Sequence, residues 1–243
     1  MDKTEVKHFS SIRFFDILNW RKWRTLFVIF YRKWHITRMI IITIWDKFFS
    51  LQTNDPILFV DCGANVGQSF DWFKKYFNRN NISFVLFEPN PNCIKILKKK
   101  LAHSEVQASL ISSAVGLQDG KTKFYGIEQD ELSLSQGGAI HPAPWHKHND
   151  ERYTTVDIID LPKFLKKKKT KTTQIVMKMD IEGAEVKLLE SMIKDDTIRL
   201  LDILYVEFHS RFFPKAERSK LALREQNIFQ SISQKGVKIR TWH

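Results

Sequence analysis

From about residue 57 onward, short apolar runs alternate with segments of helical periodicity. "ILFVDCG" (57–63), "ISFVLFEP" (82–89), "VQASLISSAVG" (106–116), "QIVMKMDI" (174–181) and "LLDILYVEFH" (200–209) are continuous apolar stretches rather than alternating ones, the pattern of strands covered on both faces. Between them, Val66–Phe77, Pro91–Leu101 and Ala184–Ile193 carry helical spacing; a late helix over Lys215–Ser233 and a last strand in "VKIRTWH" complete six strands. The alternation predicts an α/β fold with a mostly parallel, twisted sheet and helices on both faces. Ligands in such sheets bind beyond the carboxyl ends of the strands, which makes the residues closing each run the ones to inspect.

Two segments depart from that rhythm. Before Pro56 there is no Gly or Pro, and Trp23, Leu26, Phe27, Phe30, Trp34, Ile41, Trp45 and Phe48 fall in one arc at about 100° per residue. Arg21, Lys22, Arg24, Arg32, Lys33 and Arg38 lie outside that arc, giving a basic amphipathic helix. The cations interrupt every window long enough to cross a bilayer, and no small-residue cleavage site follows a short apolar core. The helix reads as a cap packed on its own chain or on a partner, or as an element lying in an anionic membrane surface. The second departure is an insertion at about 117–172, where "GKTKFYGI" and "RYTTVDIID" predict extra strands around a loop rich in Gly, His and Pro. The expected organisation is an appendage over 1–52 and one domain over 53–243.

Composition refines this modestly. A chain of 243 residues with 43% hydrophobic and 27% charged residues can bury a full core, and it has no collagen-like, disulfide-rich or repeat bias. Cys62 and Cys93 have no ligand-like cysteine neighbours, which favours a reduced, cytoplasmic setting, with peripheral membrane contact through the N-terminal helix left open. The formal net charge of +12 suits an anionic partner, but it is concentrated in the first fifty residues and in "KILKKKL" and "LKKKKTK".

Candidate chemistry gathers at the strand ends. In "FVDCGANVGQS", Asp61 ends a strand and Gly63 and Gly67 permit a tight turn into a helix whose first N–H groups are free. The spacing is not the G-x-G-x-x-G of a dinucleotide site. Glu88 ends the next strand, where this architecture hydrogen-bonds a ribose diol, and Pro89, Asn90 and Pro91 turn into the following helix. In "KMDIEGAEVKLLE", Lys178, Asp180, Glu182 and Glu185 crowd another strand end, Glu185 being best read as serving the helix start. Glu207 and His209 lie two apart in "YVEFH", on one side of the predicted strand.

"VDCGANVGQS", "FEPNP", "SSAVGLQDGKTKFY", "YTTVDIIDLPKFL", "VMKMDIEGAEVKLLESM" and "YVEFH" occur in an order and at spacings that resemble the FkbM-type S-adenosylmethionine-dependent methyltransferases, from about Ile57 to His209. The resemblance implies a class I, Rossmann-like methyltransferase fold. It implies a cofactor whose methionine end lies over Asp61, Gly63, Asn65 and Gly67, with Gln68 and Ser69 in the same segment. The ribose would lie on Glu88 beside Pro89, and the adenine near Asn90, Ser113 and Ala114. Family members generally methylate hydroxyl groups, often on sugars. The basic N-terminus and the segment "LSLSQGGAI" depart from the shared pattern.

Methyl transfer to a hydroxyl needs in-line positioning and a group that takes the proton. Asp180 is expected to face the transferred methyl and to orient or polarise, with His209 or Glu207 as base and Lys178 beside them. Asp180, Glu207 and His209 would also suit Mg²⁺ or Mn²⁺. Glu182, and Trp145 and His146 from "HPAPWHKHND", are candidate acceptor contacts, Trp145 stacking on a sugar ring. The leading expectation is O-methylation of a saccharide or glycan. RNA 2′-O-methylation is disfavoured, because Glu207 stands where a second active-site lysine is expected. A binding protein that keeps the fold without turnover is the non-enzymatic alternative.

Overall fold

The computed structural model describes residues 28, 33–51, 54–77, 80–127, 138–142 and 153–242. Two compact units, Met1–Trp45 and Asp46–His243, divide the chain. In the first, the described residues 33–45 are helical.

The second unit is built on a six-stranded sheet among the described residues. β1 (Ile57–Cys62), β2 (Ile82–Phe87), β3 (Ala108–Ile111), β7 (Gln174–Met179), β8 (Ile203–Val206) and β9 (Lys238–Thr241) lie in the order β3-β2-β1-β7-β8-β9. Every pairing is parallel. Helices α1 (Gln68–Tyr76), α2 (Pro91–Ala102), α4 (Glu185–Lys194) and α5 (Lys215–Gln234) connect the strands. All six residues of β1 and of β7 are buried, so neither strand shows apolar-polar alternation. The two faces differ in their packing. Leu58, Val60 and Cys62 join the aliphatic cluster of Met177, Leu189 and Ile232. On the other face, Phe59 meets Phe73 of α1 at 4.2 Å between ring centroids, and Phe73 meets Tyr205 at 4.9 Å and Trp242 at 5.3 Å.

The expected strand over 106–116 is two strands in two sheets. Ile111 pairs with Phe87 in the main sheet, the chain turns through Ser113, whose N–H donates to the Ile111 carbonyl, and Ala114 pairs with Ile158. β4 (Ala114–Gly116), β6 (Tyr153–Asp160) and β5 (Gly120–Tyr125) form a second, three-stranded sheet, which gives the predicted insertion its structure. α3 (Leu161–Lys168) follows, capped by Asp160, whose side chain accepts from the Lys163 N–H at 2.9 Å, so that three lysines of "LKKKKTK" form a helix end. The expected strand over 200–209 is also shorter. A 3₁₀ turn occupies Thr197–Leu200, and the last ladder bond runs from the Glu207 N–H to the Met179 carbonyl. Glu207 and His209 therefore lie beyond the strand rather than on it.

Asp46, at the start of the short π-helical turn Asp46–Ser50, is fully buried. It accepts from Arg240 of β9 through two nitrogens, at 2.8 and 3.1 Å, and from the Tyr205 hydroxyl of β8 at 2.8 Å. Removing this buried carboxylate is destabilising because the buried Tyr205 hydroxyl and the partly buried Arg240 guanidinium both lose this acceptor. Asp46→Ala is expected to lower stability by about 3 kcal/mol, read from urea unfolding; an unchanged midpoint would show that the contact contributes nothing to the fold.

Candidate active site

β1 leads through α1 to β2 on one side of the sheet, and β7 leads through α4 to β8 on the other. The order reverses between β1 and β7, and the crevice at such a reversal is where open α/β sheets bind ligands. Here a cleft collects residues that follow β1 (Gly63, Asn65), β2 (Glu88, Pro89, Asn90), β3 (Ser113, Ala114) and β7 (Asp180, Ile181, Glu182).

The turn after β1 is shaped by a close approach. Gly63 has φ +83°, and a Cβ there would lie 1.9 Å from the Asp180 carbonyl oxygen. Its N–H and that of Ala64 donate to the Phe87 carbonyl, while the Asp180 N–H donates to the Cys62 carbonyl. The ends of β2, β1 and β7 are thus tied together at one glycine, which is the only residue type that satisfies both the left-handed backbone and the missing space.

Lys178 sits beneath this turn, 3% exposed. Its ammonium donates to the Gly63 carbonyl at 2.8 Å and stands 3.3 Å from Asp180 Oδ2 and 3.5 Å from Asp61 Oδ1. Burial opposes its charge, but Asp180 and Asp61 outweigh burial and hold it protonated well above the usual lysine range. Asp61 is fully buried and also accepts from the Ser69 hydroxyl of α1.

Glu88 closes β2. Its two oxygens accept from the backbone N–H of Asn65 at 2.6 Å and of Asn90 at 2.7 Å, clamping two turns around the cleft. Burial pushes this carboxyl up to about 7 despite those bonds. Asn90 then caps α2, accepting from the Asn92 N–H at 3.0 Å.

A second acidic group forms where β7 enters α4. Glu185, fully buried, accepts from the N–H groups of Ile181 and Gly183 at 2.8 and 3.0 Å and pairs with His209 Nδ1 at 3.1 Å. The other imidazole nitrogen stands 3.2 Å from Glu182 and 3.5 Å from Asp180. Burial works against a proton on His209, but Glu185, Glu182 and Asp180 together raise it to about 9. Glu182 has φ +57°, a left-handed position that costs a non-glycine residue about 1–3 kcal/mol, and burial pushes its carboxyl up to about 7. Asp180, Glu182 and His209 each offer one ligand atom within 4.8 Å of the others. Glu207, expected in that set, is instead paired with Arg211, which belongs to the same turn.

Residues 61–234, nearly three quarters of the chain, match the family model for the methyltransferase FkbM domain. The chain belongs to the FkbM methyltransferase family. No curated protein matches it. A solved methyltransferase FkbM from Methylobacillus flagellatus KT is similar at 16% identity and a TM-score of 0.38, over 64% of this chain and 34% of that one, so the chain spans about a third of that protein. The class I, Rossmann-like assignment accords with the parallel sheet and its reversal between β1 and β7.

In this FkbM-family chain, Gly63, Asn65, Glu88, Pro89, Asn90, Ser113, Ala114, Asp180 and Glu182 line the cleft. Asp61, Ser69 and Lys178 lie behind it as supports, Gly67 shapes the turn, and Gln68 is exposed at the start of α1. Trp145 and His146 lie outside the described residues. The sequence reading missed the apolar wall. Phe87, Val115, Phe124, Ala139 and Ile140 come from both sheets and from an antiparallel bridge between Ala139 and Tyr125, and no local motif marks them as neighbours.

Gly63→Ala is expected to cost well over the 1–2 kcal/mol of a left-handed alanine, because the Cβ also meets Asp180. Gly236→Ala is the control, with φ +84° and nothing within 4 Å of its Cβ. Equal losses in urea midpoint for the two variants would show that the approach of β1 to Asp180 is not tight.

Proposed function

We propose that the chain is an S-adenosylmethionine-dependent O-methyltransferase acting on a hydroxyl of a sugar or glycan. The observation that carries the reading is one cleft, at the reversal of strand order, lined by both Glu88 and the Asp180–Glu182 pair. The residues fit that cofactor. Glu88 offers a carboxylate for a ribose diol, and Phe87, Val115 and Ile140 supply an apolar wall for a purine. When bound, the cofactor supplies an electrophilic methyl group.

The chain's own residues have three tasks. Lys178 neutralises Asp61 and Asp180 and fixes the floor of the site. Asp180, held between Lys178 and His209, orients the incoming hydroxyl. The hydroxyl must lose its proton as the new C–O bond forms. His209 already holds a proton at neutral pH, so Glu182, raised to about 7 and lining the cleft, is the more available acceptor. His209 then serves as the cation that keeps Glu182, Asp180 and Glu185 together.

The surroundings favour a neutral hydroxylated acceptor over RNA. Among the described residues that line the cleft, Glu88, Asp180 and Glu182 are acids and none is Lys, Arg or His, so the lining offers hydroxyl-binding carboxylates and no cation for a phosphate backbone. A divalent ion held by Asp180, Glu182 and His209 is the second reading of this cluster, supported by their mutual spacing. Mn²⁺ binding lost in His209→Gln, together with turnover abolished by EDTA, would select it over proton transfer to Glu182.

Labelled methyl transfer onto a panel of saccharides, RNA and small alcohols tests the proposal. Glu182→Gln is expected to bind cofactor normally and to lose about 10²–10⁴ in kcat; label appearing only in RNA, or in nothing, would sink the reading. Glu88 gives a separate pH test. Its raised pKa means that it becomes protonated as pH falls through about 7. Cofactor affinity is therefore expected to weaken between pH 8 and pH 6, and Glu88→Gln should bind weakly with that part of the pH dependence gone.

A further inference from the structure

The helical residues 33–45 carry apolar side chains on two opposed faces. At about 100° per residue, Met39 and Thr43 share one side, and both are buried. Trp34, Ile41, Ile44 and Trp45 share the other, and there Trp34 is 61%, Ile41 60% and Trp45 57% exposed. Lys33 and Arg38, both exposed, border this second face on either side. The sequence continues the same chemistry: the 29 residues between Asp16 and Asp46 contain six Lys or Arg, four Trp and no Asp or Glu. No helix among the described residues is long and apolar enough to cross a membrane.

We propose that this exposed face docks on the surface of an anionic lipid bilayer. Large apolar side chains held out of the core on a contiguous arc are costly in water. Tryptophans with bordering cations and no acids match a headgroup region, where the indoles lie at the acyl boundary and Lys and Arg meet lipid phosphates. A protein partner would need acidic groups around an apolar groove; a bilayer rich in acidic lipid supplies both features over any area. The inference stands on the helix alone and does not depend on the reaction catalysed.

Vesicle co-sedimentation of the full chain tests it, using phosphatidylcholine vesicles with and without 30% phosphatidylglycerol, an amount chosen on the order of a strongly anionic surface. The wild type is expected to pellet with the anionic vesicles and to bind neutral ones about tenfold or more weakly, with the difference shrinking as salt rises. Trp34→Ser/Ile41→Ser/Trp45→Ser should lose about tenfold or more of the binding, and Lys33→Glu/Arg38→Glu should lose the preference for acidic lipid. All these side chains are exposed, so both variants should keep the wild-type unfolding midpoint and cofactor binding. A wild type that stays in the supernatant with anionic vesicles overturns the proposal. So does a salt-insensitive dimer, measured by light scattering, that the triple variant converts to monomer.

Discussion

A buried ammonium between two carboxylates is the constraint on which the site depends. Lys178, the penultimate residue of β7, binds the carbonyl of Gly63 and neutralises Asp61 from β1 and Asp180 just beyond its own strand. Without that cation, the fully buried Asp61 would face Asp180 with no compensating charge, and burial would drive it to protonate. With it, the ends of β1 and β7 can close to the distance at which Gly63 has no room for a side chain. The cleft exists because those two strands meet there and then lead in opposite directions.

A second cation organises the other end of the site in the same way. His209 stands among Glu185, Glu182 and Asp180, and their combined charge holds its proton against burial. Glu185 is committed to backbone N–H groups and to the imidazole, and Glu207 is committed to Arg211. That leaves Asp180 and Glu182 as the carboxylates of this group that line the cleft. The arrangement separates acids that fix the loop from acids that face the cleft, and at Glu182 the left-handed backbone is held by its surroundings rather than by its own preference.

Much of this was legible in the sequence because it is local. The buried strands announced themselves as unbroken apolar runs, and Asp61, Glu88 and Asp180 were visible as acids closing three of them. The FkbM-like motifs, from about Ile57 to His209, fall largely within residues 61–234 that the family model matches. What escaped was non-local. The break between β3 and β4 depends on Ile111 finding Phe87 while Ala114 finds Ile158, partners 24 and 44 residues away. The apolar wall joins residues of two sheets, and the Asp46 anchor joins an N-terminal turn to the last strand. His209 could be placed near the acids from its spacing, but its protonation follows from three carboxylates on another segment. Glu207 differs for a local reason: the strand ends at Val206, and Arg211, four residues on, then meets it.

Lys178 is proposed to hold the two strand ends in the geometry that would receive S-adenosylmethionine. Titration calorimetry of S-adenosylmethionine with Lys178→Met against wild type tests this most directly. Lys178→Met is expected to lose at least about tenfold in affinity, since both Asp61 and Asp180 lose their shared cation. An affinity within about twofold of wild type would contradict it.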